Sequence, residues 1–259
     1  MQLLEKNNFN LSSLKVGFVL PAYNEHENIF ELLKQIDLVF NNKVILIIDD
    51  STNNKTKDKI YLKEDLQYFK RASKLGRGSA VLYGLKTLLK NKEINLFVEM
   101  DTDLSEHPKE LPNMIRYFLD NKLDLLVASR YLEGSEIINW PLRRRLFSFL
   151  ANKLAKFLLK VPVSDYTNGF RIYSNKAANH VVISWGKIGC GFIVLSETLV
   201  QLHINNFKIR DIKTKMINRV TGKSSVNLKL VLESLFGLIK LYLNNREKIK
   251  FAHKANLIK

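Results

Sequence analysis

One cysteine, Cys190, occurs in the 259 residues, so an intrachain disulfide is excluded. Such cysteine usage fits a reducing compartment, with the cytosol as the default. Long uncharged apolar runs are missing as well. The two most apolar later segments, Leu146 to Val163 and Leu228 to Leu243, are interrupted by Lys153, Lys156 and Lys160 and by Lys229, Glu233 and Lys240. A spanning helix needs about 20 nearly uncharged residues, so any membrane contact is expected to be peripheral. The stretch Met1 to Asn8 lacks the basic start and apolar core of a secretory signal, and export is not expected. There is no internal repeat, low-complexity segment or clear interdomain linker. Acidic residues are in short supply: 25 Asp plus Glu stand against 41 Lys plus Arg, a net charge of +16. That excess points to an anionic partner, whether nucleic acid, an acidic membrane surface or a phosphorylated substrate, without choosing among them.

What is present reads as a folded protein. Hydrophobic residues make up 46% and charged residues 25%, an ordinary globular balance. The length suits one large α/β domain, or a domain with an appendage. From Lys15 to Ala128, strand-length apolar runs at Val16 to Leu20, Val44 to Ile48, Leu96 to Met100 and Leu123 to Val127 alternate with helical periodicity at Glu25 to Asp37, Arg77 to Lys90 and Pro108 to Asn121. Near-continuously apolar strands suit a parallel sheet covered on both faces. The rhythm predicts a Rossmann-like doubly wound sheet flanked by helices, whose ligands gather beyond the carboxyl ends of the strands. Three polar clusters fall there: Pro21 to Glu25, Asp49-Asp50-Ser51 and Asp101-Thr102-Asp103. The second half predicts helices over Pro141 to Lys160 and Phe192 to Ile204, a strand near Lys208 to Lys213, and an amphipathic helix over Val226 to Leu243. A surface-bound or frayed tail is expected from Arg246 to Lys259. The division expected is a catalytic domain over 1–225 and a C-terminal amphipathic helix with a basic tail over 226–259.

The strand Leu96 to Met100 ends in two carboxylates one residue apart, Asp101 and Asp103. Carboxylates at the mouth of a buried strand cost desolvation energy unless a cation or firm hydrogen bonds compensate them. A hard divalent ion held by only one or two carboxylates keeps positions open for phosphate oxygens, which suggests a nucleotide diphosphate site. The alternative is a turn in which Asp103 merely caps the helix near Pro108. Asp49 and Asp50 could instead be turn formers, Asp49 the more so, and Glu25 could equally be a favourable first-turn charge. Gly76, in Lys74-Leu75-Gly76-Arg77-Gly78, suits close backbone approach by a ligand, or a helix C-cap.

Taken together and in order, these motifs resemble family 2 glycosyltransferases, specifically polyprenyl-phosphate sugar synthases of the dolichyl-phosphate mannosyltransferase type. The resemblance runs from Lys15 to Ser225 and continues through Ser129-Arg130-Tyr131, Asp165 to Arg171 and Arg219 to Ser224. It implies a GT-A-type fold with peripheral amphipathic helices in the second half. It also implies a nucleotide-sugar donor, GDP-mannose or a UDP-hexose, bound by Pro21, Tyr23, Glu25, Asp50, Gly76, Asp101 and Asp103. Mg²⁺ or Mn²⁺ would sit on Asp101 and Asp103. The family often has Gln where this chain has Ser105, whose shorter hydroxyl would need a bridging water to join the metal.

For the acceptor, polyprenyl phosphate, the resemblance points to Arg130, Arg144, Ser148 and Arg219, with Asp103, Arg130 and Arg144 as catalytic residues. Arginine suits forked recognition of phosphate oxygens, and residues four apart share a helix face, so Arg144 and Ser148 could touch one phosphate. Three adjacent arginines, Arg143 to Arg145, could also be only a solvated basic run. A phosphate monoester is mostly dianionic at neutral pH, its second pKa being about 6, and needs no general base. A hydroxyl acceptor on a glycan or lipid, the alternative, would require a carboxylate such as Glu197. Helices 146–160 and 226–243 could rest on an acidic lipid interface at the cytosolic face of a membrane, or pack in the core. A basic nucleic-acid-binding module is the distant alternative. The dispersed cations and the acidic sheet edge argue against nucleic acid as a partner.

Overall fold

The computed structural model describes residues 11–61, 63–184, 193–218 and 228–257. Its elements run β1 (Val16–Ala22), α1 (Ile29–Val39), β2 (Lys43–Asp49), β3 (Leu66–Lys70), α2 (Arg77–Leu88), β4 (Leu96–Glu99), α3 (Leu111–Asp120), β5 (Leu125–Ser129), β6 (Glu136–Ile138), α4 (Leu142–Leu159), β7 (Arg171–Ser174), α5 (Asn175–Ser184), α6 (Ile193–Ile204), β8 (Ile209–Lys213), β9 (Lys215–Ile217) and α7 (Leu228–Leu257). The main sheet has the order β3-β2-β1-β4-β7-β5-β8, and β6 pairs with β9 separately. All neighbours in the main sheet are parallel except β7, which runs antiparallel to β4 and β5.

The strands alternate between two cores, as the period of two dictates. Phe18 and Leu20 of β1 and Ile45 and Ile47 of β2 meet α1 and α3 through Leu32, Ile36, Met114 and Phe118. Val19, Leu46 and Ile48 point to the opposite face, against Val81 and Leu85 of α2. At Gly84 of α2 a Cβ would stand 2.4 Å from Val19 Cγ1, so glycine lets this helix lie close on the sheet. The same core takes in Leu199 of α6 and Leu238, Leu241 and Ile249 of α7.

Several expectations change. Helix α1 starts at Ile29 rather than Glu25, because turns at the polar segment 25–28 come first. Strand β3 had too few apolar residues to be read: only Leu66 of its five is fully buried, as befits a sheet edge. Strand β7 was not expected: it begins at Arg171, where the motif 165–171 ends, and that charge masks a central strand. The segment 246–257 is helical rather than frayed: α7 continues through it and buries Ile249 and Ala252. Helix α4 leaves most of its apolar side chains outside, burying Asn152, Ala155 and Leu159 while Leu146, Phe147, Leu150 and Phe157 are exposed. Core packing therefore does not account for them. No helix among the described residues is long and apolar enough to cross a membrane. Cys190, Arg219, the remainder of the Arg219 to Ser224 motif and the expected division at 225 lie outside the described residues.

Candidate active site

The carboxyl ends of β1, β2, β4 and β5 point to one edge of the sheet, and the polar clusters collect there. After β1, the Asn24 backbone turns left-handed, φ 60°, and its N–H donates to Ser51 Oγ at 2.7 Å. Glu25 accepts from the Asn28 side chain at 2.8 Å, and Thr102 Oγ1 donates to Pro21 O at 3.0 Å. Tyr23 is exposed beneath the Lys74 ammonium, which lies 3.8 Å from its ring centre. Asp49 is a buried turn former, accepting from the Ser51 N–H at 2.8 Å and from Tyr68 OH at 2.7 Å.

Asp50, expected on the donor side, is already engaged within the chain. It pairs with Arg71 and accepts the backbone N–H groups of Leu75 and Gly76 at 3.1 and 3.0 Å. It therefore fixes the loop 71–76, including Gly76 at φ 92°, where only glycine sits without strain.

Past β4 the chain reverses with Leu104 in a left-handed conformation, φ 60°, and both motif carboxylates stay at the rim. Asp103 is buried and accepts the Ser105 N–H at 3.1 Å, an Asx turn. Asp101 is a third exposed and accepts from Arg77 Nε at 2.7 Å. Arg77 also pairs with Glu99, whose other oxygen takes the Tyr173 hydroxyl at 2.6 Å. Burial alone would lower the Arg77 pKa, but the charges of Asp101 and Glu99 outweigh it and raise it. Behind the turn, buried Glu106 accepts the Asp101 N–H at 2.9 Å, and burial, aided by the nearby Asp101 charge, pushes its pKa well above the carboxylate range. Ser105 is buried with its carbonyl accepting from Ile217 N–H at 3.1 Å, which ties this turn to β9. His107 is half-buried, and desolvation lowers its pKa.

Strand β9 also touches the cationic side of the site. Met216 lies against Arg130, and Asn218, just beyond β9, accepts from Arg144 Nη1 at 3.0 Å. Arg130, just past the end of β5, is held by Asp165 through Nε at 2.7 Å and Nη2 at 2.8 Å, and Nη2 also reaches Thr167 Oγ1 at 2.6 Å. Burial would raise the Asp165 pKa, yet Arg130 and the backbone donors bring it below its ordinary value. Arg144 is the one of the three adjacent arginines that turns inward; Arg143 and Arg145 are exposed. Its guanidinium lies 3.9 Å from the Trp140 ring centre, and that of Arg130 lies 5.3 Å from the same ring, so both cations rest against one aromatic ring. Ser148 is one turn after Arg144 and accepts from Tyr131 OH at 2.6 Å. The site thus brings Asp101, Asp103, Arg130, Arg144 and Ser148 to one edge. Glu197 is fully buried within α6.

Arg71, Arg77, Glu99, Tyr131, Trp140 and Asp165 were not among the expected site residues. A charge in the apolar strand around Glu99 was the signal available for one of them. Arg77, Tyr131 and Asp165 sit inside the stretches 74–78, 129–131 and 165–171 singled out above without a role of their own, whereas Arg71 depends on Asp50, distant in sequence.

A divalent cation was tested against the donor set. Among the described residues no three His, Cys, Asp or Glu side chains converge into a metal cage. Two rim carboxylates, Asp101 and Asp103, are hard oxygen donors, a set that fits an ion completing its coordination with ligand phosphates and water.

Comparison with known proteins agrees with this layout. The family described as Glycosyl transferase family 2 matches residues 18–182. A polyprenol monophosphomannose synthase of Mycolicibacterium smegmatis is 30% identical over 225 residues, covering 84% of this chain and 83% of that protein. A dolichol-phosphate mannosyltransferase of Pyrococcus furiosus is 28% identical over 235 residues, covering 88% of this chain and 64% of that protein. In fold, the chain is similar to glucosyl-3-phosphoglycerate synthase from Mycobacterium tuberculosis in complex with Mn²⁺, UDP-glucose and phosphoglyceric acid, with a TM-score of 0.63 at 15% identity, covering 88% and 80% of the two chains. The sheet with its acidic rim, the matching family and the relatives converge: the chain belongs to glycosyl transferase family 2, and it is a glycosyltransferase with the GT-A architecture.

Proposed function

We propose that this glycosyltransferase moves a hexose from a nucleotide sugar to a polyprenyl phosphate with inversion at the anomeric carbon. Mannose from GDP-mannose is favoured, with glucose from a UDP-hexose as the variant. The observation that carries the proposal is the pair of inward cations, Arg130 and Arg144, both against Trp140 at the same edge as Asp101 and Asp103. Two relatives named for polyprenol- and dolichol-linked mannose transfer support the same acceptor.

The chemistry asks little of the protein as a base. An acceptor phosphate, dianionic at neutral pH, forms the new bond from its oxygen to the anomeric carbon. The bond to the nucleoside diphosphate breaks, and its electron pair leaves on the diphosphate oxygen. Arg130, locked by Asp165, and Arg144, resting on Trp140 with Asn218, hold the acceptor anion in line against the repulsion of a second anion. Ser148 supplies a hydroxyl to the same phosphate, and Arg219 is proposed to join it. Tyr23, Glu25, Asp50 with its loop at Gly76, and the Pro21 turn form the donor side. A divalent cation, Mg²⁺ or Mn²⁺, held by Asp101 and Asp103 would neutralise charge on the departing diphosphate. The Ser105 backbone is held by Asp103 and Ile217, and its short hydroxyl is assigned a water-mediated part.

A lipid-linked acceptor also gives a role to the outward face of α4. Leu146, Phe147, Leu150 and Phe157 are exposed beside Arg143, Arg145 and Lys153, the composition of a helix that rests on an acidic bilayer. The proposed location is the cytosolic face of a membrane. The C-terminal helix α7 packs on α6 and α4 and exposes Phe236, Ile239 and Leu243 as a second apolar contact.

The test is transfer of labelled hexose from a panel of nucleotide sugars to a short prenyl phosphate with Mg²⁺ or Mn²⁺. Labelled prenyl phosphohexose from one donor, abolished in Asp103→Ala, is expected. No transfer from any donor would overturn the reading.

A further inference from the structure

The Arg77 guanidinium touches the rim carboxylate Asp101. It opens α2 directly behind Gly76, so its backbone is fixed by the loop that Asp50 holds. Its side chain is clamped on three sides. Nη1 pairs with Glu99, Nε donates to Asp101 Oδ1 at 2.7 Å, and a Cβ built on Gly169 would stand 1.8 Å from Nη2. Glu99 is fully buried, and both its oxygens are used, by Arg77 and by Tyr173 at 2.6 Å. It is therefore the permanent partner of Arg77. Asp101, a third exposed, is the partner that can let go.

From this geometry we infer that Arg77 is a positioning residue that makes occupation of the metal site conditional on the donor diphosphate. The inference rests on the reading of Asp101 and Asp103 as metal ligands. A divalent cation arriving alone meets a like charge bonded to Asp101 and must compete for that carboxylate. A diphosphate changes the balance, because its charge attracts both the metal and the guanidinium. Metal and nucleotide then bind with positive coupling, each improving the other by the same factor. The clamp at Gly169 prevents Arg77 from swinging away, so the competition persists until the anion arrives. Couplings between sites of this kind run about 5–150-fold, and a contact this direct is placed at about tenfold or more.

The experiment is titration of the full chain with Mn²⁺, followed by calorimetry or by the paramagnetic signal of free Mn²⁺, first alone and then with saturating GDP or UDP. Wild type is expected to bind Mn²⁺ at least about tenfold more tightly with the cognate nucleotide than without it. Arg77→Met paired with Glu99→Gln keeps local net charge and the Tyr173 hydrogen bond while freeing Asp101. That variant is expected to bind Mn²⁺ alone several-fold more tightly and so to show a several-fold smaller coupling, the remainder being the direct attraction between metal and diphosphate. Arg77→Lys, which keeps the charge, should retain most of it, a result that a purely structural role would not give. Equal coupling in the folded double variant and in wild type, checked by near-UV circular dichroism, overturns the inference while leaving the metal site standing. No Mn²⁺ binding by wild type under either condition overturns the metal reading and this inference with it.

Discussion

Asp165→Asn removes a single negative charge from the most completely buried ion pair of the site. Asp165 is inaccessible to solvent, and its oxygens accept six hydrogen bonds of 2.7–3.3 Å, from Arg130 Nε and Nη2, from the Thr167 hydroxyl and from the backbone N–H groups of Arg130, Thr167 and Asn168. Asparagine keeps the shape but leaves the Arg130 cation without its counter-charge and turns an NH₂ toward a donor. Breaking one side of a buried pair costs about 3–5 kcal/mol, a large part of the about 5–15 kcal/mol that holds a domain folded. At about 2–4 °C per kcal/mol for a protein of this size, the melting midpoint should fall by about 6–20 °C. Circular dichroism melts of wild type, Asp165→Asn, and a double variant Arg130→Met with Asp165→Leu provide the assay. The double variant removes both charges together and should lose less than the single one. A single variant melting within about 2 °C of wild type would refute the claim that this pair anchors the Arg130 side of the site.

Gly84→Ala would push a methyl to 2.4 Å from Val19 Cγ1 and 2.9 Å from Ile48 Cδ1, and the overpacking should cost about 1–3 kcal/mol in urea unfolding. Phe157→Glu alters a side chain that is 76% exposed, so folding should survive it. Its sedimentation with phosphatidylserine vesicles should fall by about tenfold or more, since burying one such side chain is worth about 1.5–3 kcal/mol. Burial would raise the Asp37 pKa, but hydrogen bonds from Lys43, Lys63 and Tyr61 outweigh it and lower it from 3.8 to about 2. Its contribution to stability is therefore complete above the ordinary carboxylate range and is lost as pH falls from 3.8 through about 2, a loss that Asp37→Asn should remove from acid unfolding curves.

The parallel strands were legible because β1, β2, β4 and β5 are nearly unbroken apolar runs, and such runs carry their own signal. Asp101 and Asp103 were legible because carboxylates at the end of one stand out. The pairings that organise the site were not, since Arg77 and Asp101 are 24 residues apart and Arg130 and Asp165 are 35 apart. Side-chain pairing over such distances is decided by which loops the sheet brings together. The reversed strand β7 escaped for a similar reason: its central place depends on β4 and β5 offering free edges to a segment whose first residue, Arg171, is charged. Arg171 is tolerated because the carbonyls of Asn168 and Leu195 accept from it at 2.8 and 2.9 Å. Helix α7 outran its expected end because charged residues between Arg246 and Lys254 hide Ile249 and Ala252, the positions that pack inward.

The central claim is that the Arg130–Trp140–Arg144 cluster selects a phosphate, so that sugar transfer proceeds without a protein base. Its most direct test offers a short prenyl phosphate and the matching prenol as competing acceptors in one reaction with the cognate nucleotide sugar. Product on the phosphate alone is predicted, with transfer falling sharply in Arg144→Ala. Comparable transfer to the prenol, or undiminished transfer in Arg144→Ala, would contradict it.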